Sequence, residues 1–175
     1  MSVQAEATGI SKETAPNAST IIYHFPKRES FPPVKVVWYD GKRMPERPAE
    51  LEPSRKMGDH FGGTLYVGNK GKIMTGGLGD GVRLIPETAM QAYKRPSTSL
   101  SRSSGHYQEF IDACKGGQPA GANFSYGGSL TEAVLLGNVA LQTLGRRLDW
   151  DHDKMAVTNL PAANAFISSE DRIGW

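Results

Sequence analysis

A single cysteine, Cys114, cannot close an internal disulfide, so cysteine usage leaves the redox compartment open. An excess of one charge is also missing. Lys+Arg 20 against Asp+Glu 18 gives a formal net charge of +2, too small and too evenly spread for an electrostatic nucleic-acid or anionic-membrane surface. Long hydrophobic runs are absent. The longest is Ala133-Val134-Leu135-Leu136, far short of the roughly 20 residues that cross a bilayer. The first residues lack the apolar core of a signal peptide; any targeting segment would precede Met1, and the compartment stays open. The four histidines, His24, His60, His106 and His152, stand apart, none with a carboxylate or cysteine at metal-ligand spacing. No G-x-S-x-G nucleophile elbow occurs.

What is present is turn chemistry, with Gly 20 and Pro 11, and a length that suits one domain with a core of its own. Alternation of small apolar and polar residues predicts a strand over residues 1–8. The abrupt strand start makes Met1 look like a cut. β-branched and aromatic residues predict strands over 19–25 (STIIYHF) and 34–40 (VKVVWYD). Residues 42–61 carry three prolines and few core types, and read as a long surface excursion of the kind that often borders a site.

Glycine-rich residues 65–84 pose the main alternative. A phosphate loop needs G-x-x-x-x-G-K-[ST], but Gly71-Lys72 is followed by Ile73. A dinucleotide fingerprint needs a third glycine where Val82 stands. The stretch reads as strands over 64–67, 72–75 and 82–85, the first two joined by a hairpin at Gly68-Asn69-Lys70-Gly71.

Helices follow. Pro86 opens a short one, and Tyr107, Phe110, Ile111 and Cys114 form one apolar stripe on the next, which assigns Cys114 to the core. That helix takes its cap from Ser103 or Ser104 and ends at Gly116-Gly117. Residues 118–128 read as loop. Ser129-Leu130-Thr131-Glu132 reads as a capping box opening the longest helix, to about Leu144. Apolar residues around most of its circumference predict burial on more than one side, and the capping role makes Glu132 a poor catalytic acid. Leu148-Asp149-Trp150 is a short strand, Asp151-His152-Asp153 a solvated loop, and residues 161–167 a short final helix. His106 reads as a structural ring near a helix start; His24 faces solvent or a partner. Strands first and helices after predict α+β architecture, an open, mainly antiparallel or mixed sheet with helices on one face. Trp38 and Tyr39, followed by Asp40, either fill a core or line a sugar-like ligand.

Nine stretches, in order, carry a resemblance: ASTIIYHFP, PPVKVVWYDG, LYVGNKGKI, LIPE, GHYQEFIDACKGG, LTEAVLLGNVAL, LDWD, TNLPAAN and DRIGW. Together they resemble the C-terminal domain of the Gfo/Idh/MocA oxidoreductases, closest to a bacterial branch, over about residues 3–175. The resemblance implies one domain over residues 1–175, the substrate-side and oligomerisation part of a two-domain enzyme. The other part would carry the Rossmann glycine loop, a Glu-Lys-Pro lysine for proton transfer, and an Asp-x-x-x-His element. None of these motifs occurs in this chain, so no catalytic, cofactor-binding or metal residue is assigned.

NAD or NADP is implied for the intact parent and no cofactor for this chain, which alone would be inactive. A sugar-like or cyclitol substrate is implied, with Trp38, Tyr39, Asp40 and His60 of the 38–61 segment nearest to it. Ile21, Tyr23, Phe25, Val34, Val36 and Trp38 offer more apolar area than one helical layer hides, which predicts a homo-oligomer through the sheet face. Two other readings stay open: a stand-alone, non-catalytic interaction domain, and part of an NAD-dependent glycoside hydrolase-like relative.

Overall fold

The computed structural model describes residues 1–11, 13–168 and 174; of the terminal DRIGW stretch only Gly174 is included, so that motif lies outside the described residues. Two compact units emerge, Met1–Met44 with Arg102–Trp175, and Pro45–Ser101. The architecture is α+β with open antiparallel sheets.

The first unit holds a five-stranded sheet in the order β3-β2-β1-β7-β8. Its strands are β1 (Ser2–Thr8), β2 (Ala18–Phe25), β3 (Val34–Asp40), β7 (Leu148–Asp151) and β8 (Ala156–Val157). Register builds the core. Directly opposed residues share a face, so the pairs Val3↔Tyr23 and Ala5↔Ile21 line one side with Val3↔Leu148 and Trp150↔Val157. Helix α3 (Phe124–Leu141) lays Leu136, Gly137, Val139 and Ala140 on that face, and the 3-10 helix Pro161–Phe166 adds Ala163. Each large apolar side chain buried here contributes roughly 1.5–3 kcal/mol.

The same face continues onto β3, where Trp38 pairs with Ile21, Val36 with Tyr23 and Val34 with Phe25. Among the described residues no helix covers this row: Trp38 is 61%, Val36 42% and Val34 50% exposed. Of the six apolar residues read as surplus, Ile21 and Tyr23 are buried, while the three on β3 stay exposed. Gly145 takes φ 72 just after α3 and donates its N–H to Ala5 O at 3.0 Å, returning the chain to the sheet.

The second unit is a three-stranded meander, β4 (Gly63–Gly68), β5 (Gly71–Gly76) and β6 (Arg83–Ile85), followed by α1 (Glu87–Ala92). Gly68 faces Gly71 across the β4–β5 turn, so the glycine stretch is a hairpin. Its core is Leu51, Met74 and Ile85, with Met57 and Leu65 packed against it. Residues 42–61 are thus not wholly a surface excursion, because Leu51 is buried. Glu52 fastens this segment to α1: its Oε1 accepts the Glu87 N–H at 2.6 Å, and Arg55 bridges Glu52 and Glu87.

Four helical expectations need correction. Helix α3 begins at Phe124, not Ser129; Asn123 caps it, its Oδ1 accepting the Tyr126 N–H at 3.1 Å. Ser129 stands inside the helix and donates to Ser125 O, so the capping-box pattern is coincidental. Leu130, Val134 and Leu135 are more than half exposed, so α3 is buried on one side only. Helix α2 (His106–Cys114) has the apolar stripe that its sequence dictates, yet Tyr107, Phe110, Ile111 and Cys114 are exposed. Cys114 is not a core residue. Periodicity makes the stripe but does not supply its partner. Ser103 Oγ accepts the Gly105 N–H rather than capping α2.

Candidate functional site

Two features of the first unit gather chemistry, and Trp150 of β7 belongs to both. The first joins α3 to the β7–β8 turn. The Glu132 carboxylate, the least exposed of the ion-paired carboxylates among the described residues, accepts the Trp150 indole N–H at 2.6 Å. Each of its oxygens also lies 2.9 Å from His152 Nδ1. Burial pushes the Glu132 carboxyl up, but the bonds from His152 and Trp150 outweigh it and hold the group below its ordinary value. The same bond, with the carboxylate charge, raises His152. In the same turn, the Lys154 ammonium bonds Asp151 and holds its carboxyl low. The arrangement fixes one imidazole nitrogen and leaves a largely exposed ring, a charged clasp rather than an enclosed acid–base centre.

The second feature is a cleft of about 680 Å³ where β1 and β7 begin, β2 ends and β3 begins. Its polar rim follows from register: Ser2 opposes both His24 and Asp149, and His24 opposes Lys35. One row thus crosses four strands on the sheet face opposite α3. Arg147 Nε donates to Asp149 Oδ1 at 3.0 Å beside it. Phe25, Pro26, Pro33 and Val34 supply apolar walls. The cleft is open to solvent over most of its extent, unlike small-molecule sites that enclose most of their ligand. The polar row and the pair Phe25 and Val34 stand on opposite faces of the sheet, so the depression wraps around the end of the sheet instead of enclosing a ligand.

The residues singled out from sequence lie elsewhere. Trp38 and Asp40 occupy one face of β3 and Tyr39 the other, at the strand end away from the cleft. Trp38 is neither core nor enclosed, and Tyr39 is half-buried. Asp40 Oδ1 accepts the Gly41 N–H at 2.7 Å, which makes it a turn residue. His60 belongs to the second unit, exposed and tilted against Phe61 with ring centroids 3.7 Å apart. Asp59 holds that loop by accepting the Phe61 N–H at 2.8 Å. His24 is exposed, as expected; His106 lies against Tyr107.

Sequence reasoning missed the cleft and the clasp for one reason. Both depend on cross-strand or helix–strand register between residues far apart in the chain, which no local pattern reveals. The signal available is His152 two residues after Trp150, in a stretch that reads from sequence as a solvated loop.

No family model matches the chain, and no curated protein matches it.

Proposed function

We propose that this chain is the substrate-side and oligomerisation domain of a larger NAD(P)-dependent oxidoreductase that acts on sugars or cyclitols, and that it is inactive alone. The observation carrying the reading is the surplus of surface. Two separate compact bodies of these sizes would together expose about 10,000 Å², yet the chain exposes 13825 Å². Exposed apolar side chains include the β3 strip, the α2 stripe, and Leu130 and Val134 on α3. Such area belongs against other protein.

Two further observations support it. The nine ordered stretches of likeness span most of the chain. The glycine-rich stretch folds as a hairpin instead of a strand–turn–helix phosphate cradle. Hydride transfer requires the nicotinamide and reacting carbon in near-attack geometry, so a separate coenzyme-holding portion would complete the machine.

The test is to express the chain with whatever its gene encodes upstream and assay NAD(P)-linked oxidation of a panel of sugars and cyclitols. Coupled oxidation by the extended protein and none by the chain alone is expected. No turnover with any member of the panel, in a folded extended protein, would refute the reading.

A further inference from the structure

Methionine is placed differently in the two units. Of six methionines, Met57, Met74 and Met90 fall in the 45–101 unit. Among the described residues the buried core of that unit is Leu51, Met74 and Ile85, with Met57 and Leu65 packed against it. Two of those five side chains are thioethers. Met90 adds a further tie: its Sδ accepts the Leu84 N–H at 3.4 Å and so joins α1 to β6. In the first unit the buried core has eleven residues and no methionine, with Met1 half-buried at its margin. Met44 and Met155 are more than half exposed and belong to neither core.

A thioether fills irregular gaps well, which accounts for an apolar residue at each position. It does not make the position inert. Met57 and Met90 are half-buried, so each presents surface to solvent, whereas Met74 is only 8% exposed. When a hydroperoxide meets such a side chain, an Sδ lone pair attacks the terminal peroxide oxygen. An S–O bond forms and the O–O bond breaks. Sulfur gives up two electrons. The proton of the attacked oxygen passes to the leaving oxygen, which departs as water or an alcohol. The product is a polar, chiral sulfoxide. At Met57 it sets an S–O dipole against an apolar cluster, where a polar group without a partner is costly. At Met90 the oxygen is added to the very atom that holds the Leu84 N–H. A core of three buried side chains has little reserve against either change.

We propose that Met57 and Met90 are the sites of a reversible oxidative switch: their conversion to sulfoxide by a hydroperoxide opens the 45–101 unit and leaves the first unit folded. The inference is independent of the proposed function, because it involves neither coenzyme nor substrate.

The test uses the full chain carrying Cys114→Ser, so that oxidation of this exposed thiol does not enter. Hydrogen peroxide is added, the oxidised residues are mapped by peptide mass spectrometry, and amide exchange is followed in both units. Exchange in β5, β6 and α1 should rise roughly 5–30-fold as Met57 and Met90 gain oxygen, while β1, β2 and β7 stay protected. Methionine sulfoxide reductase should reverse the change. Met57→Leu combined with Met90→Leu, a swap of similar volume, should abolish the response. Met44→Leu combined with Met155→Leu should leave it intact.

Oxidation confined to Met44 and Met155 overturns the inference. So does sulfoxide at Met57 and Met90 with unchanged exchange in the 45–101 unit. Equal loosening of the first unit also overturns it, as does a full response from the chain with leucine at positions 57 and 90. If that double variant does not fold, the reductase decides: exchange that stays fast once the sulfoxides are removed contradicts a reversible switch. None of these outcomes touches coenzyme-linked oxidation by an extended protein, so the two readings fail separately.

Discussion

Gly137 of α3 lies directly against the Tyr23 hydroxyl of β2: a Cβ at position 137 would collide with Tyr23 Oη and stand 3.1 Å from Ile21 Cδ1. The helix can approach the sheet this closely only because the position lacks a side chain. Gly137→Ala should therefore destabilise the first unit by about 1–3 kcal/mol through overpacking, against a helix-propensity gain of about 1 kcal/mol. Tyr23→Phe removes the colliding oxygen. Chemical denaturation of both single variants and the double variant should show Gly137→Ala better tolerated when it is combined with Tyr23→Phe.

Leu148 is fully buried between α3 and the sheet, 0% exposed. Leu148→Ala should cost about 2–5 kcal/mol, the range for a large-to-small change with a residual cavity. By contrast, a Trp38→Ala change should lie within about 0.5 kcal/mol for the single chain, as for an exposed position. Urea titration of the two variants checks the contrast.

The Glu132 clasp has two separable parts. Glu132→Ala leaves the part-buried Trp150 indole N–H without its acceptor and should cost about 1–3 kcal/mol. Glu132→Gln keeps an acceptor oxygen and should cost less, while removing the charge that His152 senses. The pH dependence follows from the two directions. His152 is raised above 6.5, so its contribution is full below that value and fades as pH rises through the raised one. Glu132 is lowered below 4.5, so its contribution is full above that value and is lost as pH falls through the lowered one. The clasp should thus be tightest between these two ordinary values. An NMR titration of the His152 ring should give a midpoint above the ordinary 6.5, moving back toward it in Glu132→Gln.

In the second unit, Glu52 caps the first turn of α1 from 35 residues away. Glu52→Ala should loosen α1 and destabilise this unit by about 1–2 kcal/mol, as for loss of a helix N-cap. Hydrogen exchange should report it as faster exchange at Glu87 and the α1 amides.

Strand positions were legible because alternation and β-branching are local. Residues 34–40 and 19–25 occupy β3 and β2 almost residue for residue, and Asn69-Lys70 between glycines marks its hairpin. The start of α3 was hidden by Gly127 and Gly128, two poor helix formers that the packed helix tolerates. Glu132 looked like a cap because the spacing fits, yet Trp150, 18 residues later, holds its carboxylate. The α2 stripe shows the limit most plainly: its period gives the amphipathic face, while burial needs a packing partner, and among the described residues that face is exposed. The cleft residues His24, Lys35, Asp149 and Ser2 are ordinary polar positions until register aligns them.

The most direct test of the central claim is a coenzyme titration of the isolated 175-residue chain, alongside the extended protein, by calorimetry with NAD⁺ and NADP⁺. The account predicts no saturable binding to the chain alone and saturable binding once the upstream portion is present. Micromolar binding by this chain alone would contradict it.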